Sequence, residues 1–193
     1  MTGRTLVAGI GNVFLGDDGF GVETVRRLAG ATLPEGAEVT DFGVRGVHLA
    51  YQLLDGYDTL VLVDATARGG PPGTLYVIEP DALGEGAPVE TDRPAGVLDG
   101  HQMSPDTVLA LLGTLCAGTG TSPPGRILVV GCEPACLDEG IGLSAPVAAA
   151  VPEAARLLLE LLHDPGPEPR TDTGPAHHPA AAAAARSAEL PDS

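Results

Sequence analysis

A glycine-rich turn near the amino terminus constrains the fold and chemistry of this chain more than any other segment. The apolar run Leu6 to Ala8 predicts a buried strand, and residues 9–21 after it hold five glycines and the pair Asp17-Asp18. Such a strand–turn–helix unit is typical of α/β proteins, where glycines let backbone N–H groups approach a bound phosphate. Because two adjacent carboxylates would repel a phosphate, this turn favours a cation.

Two nucleotide-binding patterns resemble this turn, and each lacks a required residue. The dinucleotide fingerprint needs a third glycine where Phe14 stands. A P-loop spacing runs from Gly11 to Gly16, but Asp17 occupies the place of the phosphate-binding lysine, and the chain contains no lysine. We therefore reject nucleotide binding as the leading hypothesis for this segment.

The composition limits the partners and the compartment of the protein. A formal net charge of −16 over 193 residues disfavours nucleic acid and anionic membranes as partners. No apolar run approaches the roughly 20 residues that span a bilayer, and the amino terminus lacks a signal-peptide pattern, so we expect a cytoplasmic protein. The three cysteines form no disulfide framework and are expected to be buried or loop thiols.

Alternating strand and helix patterns predict the fold class. Strands are predicted at about 5–10, 37–42, 59–64, 74–78 and 126–131, and helices at about 18–28, 47–54, 104–115 and 144–163. This order predicts a three-layer α/β/α domain over residues 1–163, phosphorylase/hydrolase-like, with a mostly parallel, roughly five-stranded twisted sheet. Residues 74–78 are predicted as an edge strand that could run antiparallel. Residues 80–100 are predicted to form an acidic loop, and residues 164–193 a Pro/Ala-rich, mostly disordered tail.

Acidic residues follow three of the predicted strands. Asp17 and Asp18 come after the first, Asp41 ends the second, and Asp64 ends the third. Because parallel strands end at one edge of a sheet, these carboxylates are expected to meet there, where only a cation or a basic group would relieve their repulsion. His101 could join them. Two carboxylates and one imidazole suit nickel, zinc or iron and leave coordination positions open.

Each of these residues also has an ordinary structural explanation. One carboxylate of the Asp17-Asp18 pair is expected to cap the following helix, and the other to be functional. Asp41 could serve an ordinary Asp-x-Gly turn, and His101 could be a loop histidine bonded to the backbone. Asp64 ends a fully apolar strand, where burying a carboxylate for a turn alone is costly, so a functional role is favoured there.

Several motifs in consistent order resemble the hydrogenase maturation endopeptidases. The resemblance covers roughly residues 4–162. It rests on Gly9-Ile10-Gly11-Asn12, Gly16-Asp17-Asp18-Gly19-x-Gly21, Asp41-x-Gly43, Val63-Asp64-Ala65, Gly100-His101-Gln102, Val130-Gly131-Cys132-Glu133-Pro134 and Gly140-Ile141-Gly142-Leu143-Ser144.

The resemblance implies a specific function. It implies that the chain is a hydrolase, a metal-dependent or aspartic-type endopeptidase. Such an enzyme removes the C-terminal extension of a nickel–iron hydrogenase large-subunit precursor after nickel insertion. The family's metal-binding side chains fall on Asp18, Asp64 and His101, and the nickel is carried by the substrate and is not a resident cofactor. Asp41 is the candidate for the catalytic base or for a positioning role. A non-enzymatic nickel-sensing or metal-delivery module, or a related enzyme with another substrate, would be the alternatives.

Overall fold

The computed structural model describes residues 3–80 and 105–163, which form a five-stranded sheet between two pairs of helices. In chain order the elements are β1 (Thr5–Ile10), a 3₁₀ turn (Gly16–Gly19), α1 (Phe20–Arg27), β2 (Ala37–Gly43), α2 (Gly46–Leu53), β3 (Thr59–Ala65), β4 (Leu75–Ile78), α3 (Pro105–Thr119), β5 (Arg126–Cys132) and α4 (Ala145–His163). The predicted fold class is therefore confirmed. The acidic loop from residue 81 onward, His101, and the tail at 164–193 lie outside the described residues.

The strand order of the sheet is β2-β1-β3-β5-β4. Neighbouring strands are parallel except for β4, which runs antiparallel to β5, as predicted for that edge. From β1 the chain crosses to β2 on one side and then returns to β3 on the other. The strand order therefore reverses between β1 and β3, and open α/β sheets bind their ligands in the crevice at the carboxyl ends of such a pair.

The apolar runs of the central strands are explained by helices on both faces of the sheet. Successive side chains point to opposite faces. Val7 and Val61 pack into a core cluster with α1 and α4, whereas Leu60 and Leu62 pack into a second cluster with α2 and α3. No helix in the described part of the chain is long and apolar enough to cross a membrane.

The first turn of α1 lies directly on the ends of β1 and β3. A Cβ atom on Gly21 would fall well inside contact distance of the carbonyl oxygens of Ile10 and Val63. Only glycine allows this approach, which holds the Asp17-Asp18 turn against the sheet. The sequence predicted one helix from residue 18, but the tighter 3₁₀ turn comes first and α1 begins at Phe20.

A buried hydroxyl in α1 provides a test of this packing. Thr24 is fully buried, and its Oγ1 has no hydrogen-bond partner among the described residues. Since an unpartnered buried hydroxyl is destabilising, we expect Thr24→Val to raise the free energy of unfolding by about 1 kcal/mol in urea denaturation. Thr114 donates to the carbonyl of Ala110 on the exposed side of α3, so Thr114→Val is the control that should not stabilise. An unchanged or lower midpoint for Thr24→Val would contradict the expectation.

Candidate functional site

Two of the predicted site carboxylates lie at the carboxyl edge of the sheet, between β1 and β3. Asp18 belongs to the 3₁₀ turn that follows β1, and Asp64 is the penultimate residue of β3. The strands are direct neighbours, with Gly9 paired to Val63. The two side chains are close enough for the charge of Asp18 to act on the pKa of Asp64. The expected convergence of these two residues is therefore present.

Asp64 is a carboxylate in an environment that disfavours its charge. Its exposed fraction is only 5%. Burial raises its pKa well above the ordinary value, and the negative charge of Asp18 raises it further, while a hydrogen bond from the backbone N–H of Ala65 acts in the opposite direction. A cation placed between the two carboxylates would remove this penalty, as expected for a ligand site.

Asp18 is half-buried and oriented by the turn that precedes it. Its Oδ2 accepts a hydrogen bond from the backbone N–H of Asn12 at 2.5 Å. Gly11 makes the close approach possible, because it has a φ of +121° and a Cβ there would collide with the carbonyl oxygen of Asp18. The glycines of this turn thus serve to position a carboxylate.

Asp17 has a different role from its neighbour. It is 1% exposed and accepts hydrogen bonds from the backbone N–H groups of Ala135 (2.7 Å), Cys136 (3.0 Å) and Ser144 (2.6 Å), and from the Ser144 hydroxyl (2.9 Å). Burial acts to raise its pKa, but these hydrogen bonds outweigh burial and lower it. The predicted helix cap is wrong, since neither the 3₁₀ turn nor α1 has a side-chain cap. The carboxylate faces the segment after β5 and ties it to the turn.

Asp41 lies on β2, and β1 lies between this strand and β3, which carries Asp64. Its Oδ2 accepts a hydrogen bond from Nε of Arg26 in α1 at 3.1 Å and forms an ion pair with Nη2 of the same residue at 3.0 Å. Its backbone carbonyl accepts a hydrogen bond from Arg45. Its carboxylate is therefore engaged in an ion pair. Its role in a reaction stays a prediction.

The third predicted ligand, His101, lies outside the described residues. Within 3–80 and 105–163, no three His, Cys, Asp or Glu side chains form a group that could hold a metal ion. The described part of the chain thus supplies two of the three predicted ligands. The structure resumes with α3, which begins at Pro105 and covers the same face of the sheet as Leu60 and Leu62.

Glu133 is a buried carboxylate that the sequence reasoning did not assign. It directly follows β5 and accepts hydrogen bonds from the backbone N–H groups of Arg68 (2.8 Å) and Gly69 (3.0 Å) and from the Tyr76 hydroxyl (2.9 Å). Burial acts to raise its pKa, but these hydrogen bonds outweigh burial and lower it. Glu133 therefore shapes the segment after Asp64. Its place at a strand end was the signal that could have singled it out.

The cysteines occupy structural positions, as predicted. Cys116 and Cys132 are buried and Cys136 is exposed, and all three are free thiols. Burial, with the charges of Asp17 and Glu133, raises the pKa of Cys132 to about 11. Burial thus favours the protonated form of this thiol, as is usual for a cysteine in a structural position.

The chain also matches a known protein family. The family model described as hydrogenase maturation protease (HycI) matches residues 22–161. The chain belongs to the hydrogenase maturation protease family. The matched range includes Asp41, Asp64 and His101, whereas Asp17 and Asp18 precede it.

Similar proteins of this family extend along most of the chain. The hydrogenase expression/formation protein HupD of Rhizobium leguminosarum bv. viciae is 33% identical over 165 residues, which cover 84% of this chain and 76% of that protein. The hydrogenase 2 maturation protease of Escherichia coli is 30% identical over 167 residues, covering 86% and 94% respectively. This protein is thus a maturation protease, a hydrolase, by family.

Solved structures of hydrogenase maturation proteases share the fold. The maturating endopeptidase HybD from E. coli superposes with a TM-score of 0.66 at 29% identity, covering 88% of this chain and 99% of that chain. HybD from Thermococcus kodakarensis gives a TM-score of 0.58 at 25% identity, covering 82% and 99%. The α/β/α sheet described above is therefore that of a HybD-type protease.

Proposed function

We propose that this maturation protease removes the C-terminal extension of a nickel–iron hydrogenase large-subunit precursor and recognises the nickel that the precursor carries. The observation behind this proposal is the pair Asp18 and Asp64 at the point where the strand order reverses, with Asp64 buried and its pKa raised. Two carboxylates held together against their mutual repulsion, in a protease with a metal-bearing substrate, suit a transient metal contact.

His101 is the proposed third ligand. It stands in the Gly100-His101-Gln102 motif, four residues before α3 begins at Pro105. With Asp18 and Asp64 it would form an O,O,N set that leaves coordination positions for the precursor's own ligands. Such an incomplete set suits a metal ion that arrives with the substrate, and nickel accepts both imidazole and carboxylate ligands.

Binding of the metal would place the scissile peptide bond in the crevice. Most of the rate gain would then come from this positioning. In the hydrolysis itself, a water oxygen bonds to the peptide carbonyl carbon, the C–N bond breaks, and the proton lost by the water is transferred to the leaving amine. Asp41 is the proposed base or positioning group for that water, and its use as a base requires the ion pair with Arg26 to open.

The proposal is tested by comparing nickel-loaded and nickel-free precursor as substrates. We expect cleavage of the nickel-loaded form to be at least a hundredfold faster, because the nickel-free form loses its main anchor. The measurement is the rate of release of the C-terminal peptide by mass spectrometry at matched enzyme concentration. Reloading the nickel-free precursor should restore cleavage.

Two results would contradict the proposal. Equal cleavage of the nickel-loaded and nickel-free precursor would show that the protease does not recognise the metal. Nickel-dependent binding of the precursor without any cleavage would indicate a nickel-sensing or delivery module in place of a protease.

A further inference from the structure

An apolar groove of about 470 Å³ lies between the 3₁₀ turn, α1 and the amino-terminal part of α4. Its walls include Val13, Ile141, Leu143, Ala148 and Val151. Ile141 is 85% exposed at its edge, an unusual exposure for so large an apolar side chain. Exposed apolar surface of this kind marks binding sites in soluble proteins.

The groove borders the 3₁₀ turn that carries Asp18. Gly16 and Gly19, the first and last residues of the 3₁₀ turn, also line it. Because consecutive Cα atoms lie about 3.8 Å apart, the groove wall at Gly19 begins one residue from Asp18. A peptide whose metal contacts Asp18 would therefore pass close to this wall of the groove.

The groove walls are held in place by main-chain hydrogen bonds. The N–H of Gly140 donates to the carbonyl of Phe14 (2.9 Å), and the N–H of Gly16 donates to the carbonyl of Gly140 (3.0 Å). Asp17 fixes the same segment through Ser144. A site formed in advance in this way loses less entropy when a ligand binds.

The charges in the groove favour an apolar occupant. Two charged residues line it, Glu23 and Arg26, and they form an ion pair at 3.1 Å. Arg26 is also paired with Asp41 at 3.0 Å. The rest of the lining consists of glycine and apolar side chains. The groove thus suits aliphatic or aromatic side chains more than charged ones.

We infer that this groove binds apolar side chains of the precursor's C-terminal extension, on the far side of the scissile bond from the nickel; this inference rests on the function proposed above. The volume suits a few side chains of an extended segment. Docking of the folded body of the subunit would need a broader surface, on the order of 800 Å². The groove would therefore select the extension and set the side chains accepted after the cleavage point.

Two neighbouring alanines of α4 allow a matched test. Ala148 and Ala149 are both exposed, but only Ala148 is among the residues that line the groove. Ala148→Leu should fill the groove, and Ala149→Leu adds the same side chain outside it. The probe is a fluorescently labelled, nickel-free synthetic peptide with the sequence of the precursor's extension. We expect Ala148→Leu to raise its Kd at least tenfold and Ala149→Leu less than twofold, with equal urea midpoints for both variants.

Several outcomes would overturn the inference. These are equal effects of the two substitutions, no binding of the peptide to the wild-type chain, or competition for the peptide by mature subunit that lacks the extension. A wild-type dimer that Ala148→Leu disperses in sedimentation would assign the groove to a second copy of this chain.

The peptide assay also separates this inference from the proposed function. Because the peptide carries no nickel, its Kd should be unchanged in Asp64→Asn. Nickel-dependent cleavage together with a peptide Kd unaffected by Ala148→Leu would reject the groove and keep the function. Weaker peptide binding by Ala148→Leu together with nickel-independent cleavage would keep the groove and reject the proposed function.

Discussion

Asp64→Asn should reduce kcat/KM for the nickel-loaded precursor by more than a thousandfold while leaving the folded protein at least as stable as the wild type. The loss of activity follows from removing an anionic ligand at the point where the substrate's metal is proposed to bind. Stability is retained because asparagine has nearly the same volume and needs no ionisation in a site that is 5% exposed.

The sign of the stability effect follows from the raised pKa of Asp64. A carboxyl group whose pKa is higher in the folded than in the unfolded state contributes stability below its ordinary value of 3.8 and loses it as the pH rises through the folded value. Ionising this carboxyl group above its ordinary value therefore costs stability. The urea midpoint of Asp64→Asn relative to the wild type should rise as the pH increases from 4 towards 7.

Asp138 provides a control for this substitution. It is exposed and lies in the segment after β5. Asp138→Asn removes the same charge and should leave both cleavage and stability nearly unchanged. Normal cleavage by Asp64→Asn would show that Asp64 is not part of the site. A fall of several kcal/mol in the stability of this variant would assign Asp64 a structural role.

Asp17→Ala, in contrast to Asp64→Asn, should cause a large loss of stability. The substitution leaves three backbone N–H groups and one hydroxyl without their shared acceptor in a buried position. Unsatisfied buried donors and lost charge-assisted hydrogen bonds together should lower the free energy of unfolding by about 3 kcal/mol. Urea denaturation followed by circular dichroism measures this directly.

The pH dependence of stability reports on the same residue. The hydrogen bonds lower the pKa of Asp17, so its contribution is present above the ordinary value of 3.8 and is lost as the pH falls through the folded value. The wild type should therefore lose stability below about pH 4, and Asp17→Asn should lose less over the same range.

Asp18 is the matched comparison for Asp17, because the two carboxylates are adjacent in sequence. Asp18→Ala breaks one hydrogen bond, to Asn12, and should destabilise far less while abolishing cleavage. Equal loss of stability in Asp17→Ala and Asp18→Ala would contradict the assignment of separate roles.

Much of the fold was predictable because its signals are local. The apolar run of β3 is long and unbroken, which identifies a strand buried on both faces. The capping prediction failed for a physical reason. A carboxylate before a helix usually binds the helix's own N–H groups, but Asp17 finds three N–H groups more than a hundred residues away.

The sequence alone determined the order of strands and helices, the sheet edge at which the acidic residues gather, and the family motifs, because these depend on periodicity and on neighbours in the chain. Only the tertiary structure decided which of the adjacent carboxylates holds the scaffold and which faces Asp64, and only it showed Glu133 and the apolar groove. Those features depend on contacts between segments that are distant in the sequence. The type of a side chain alone does not identify the distant residue with which it will pair.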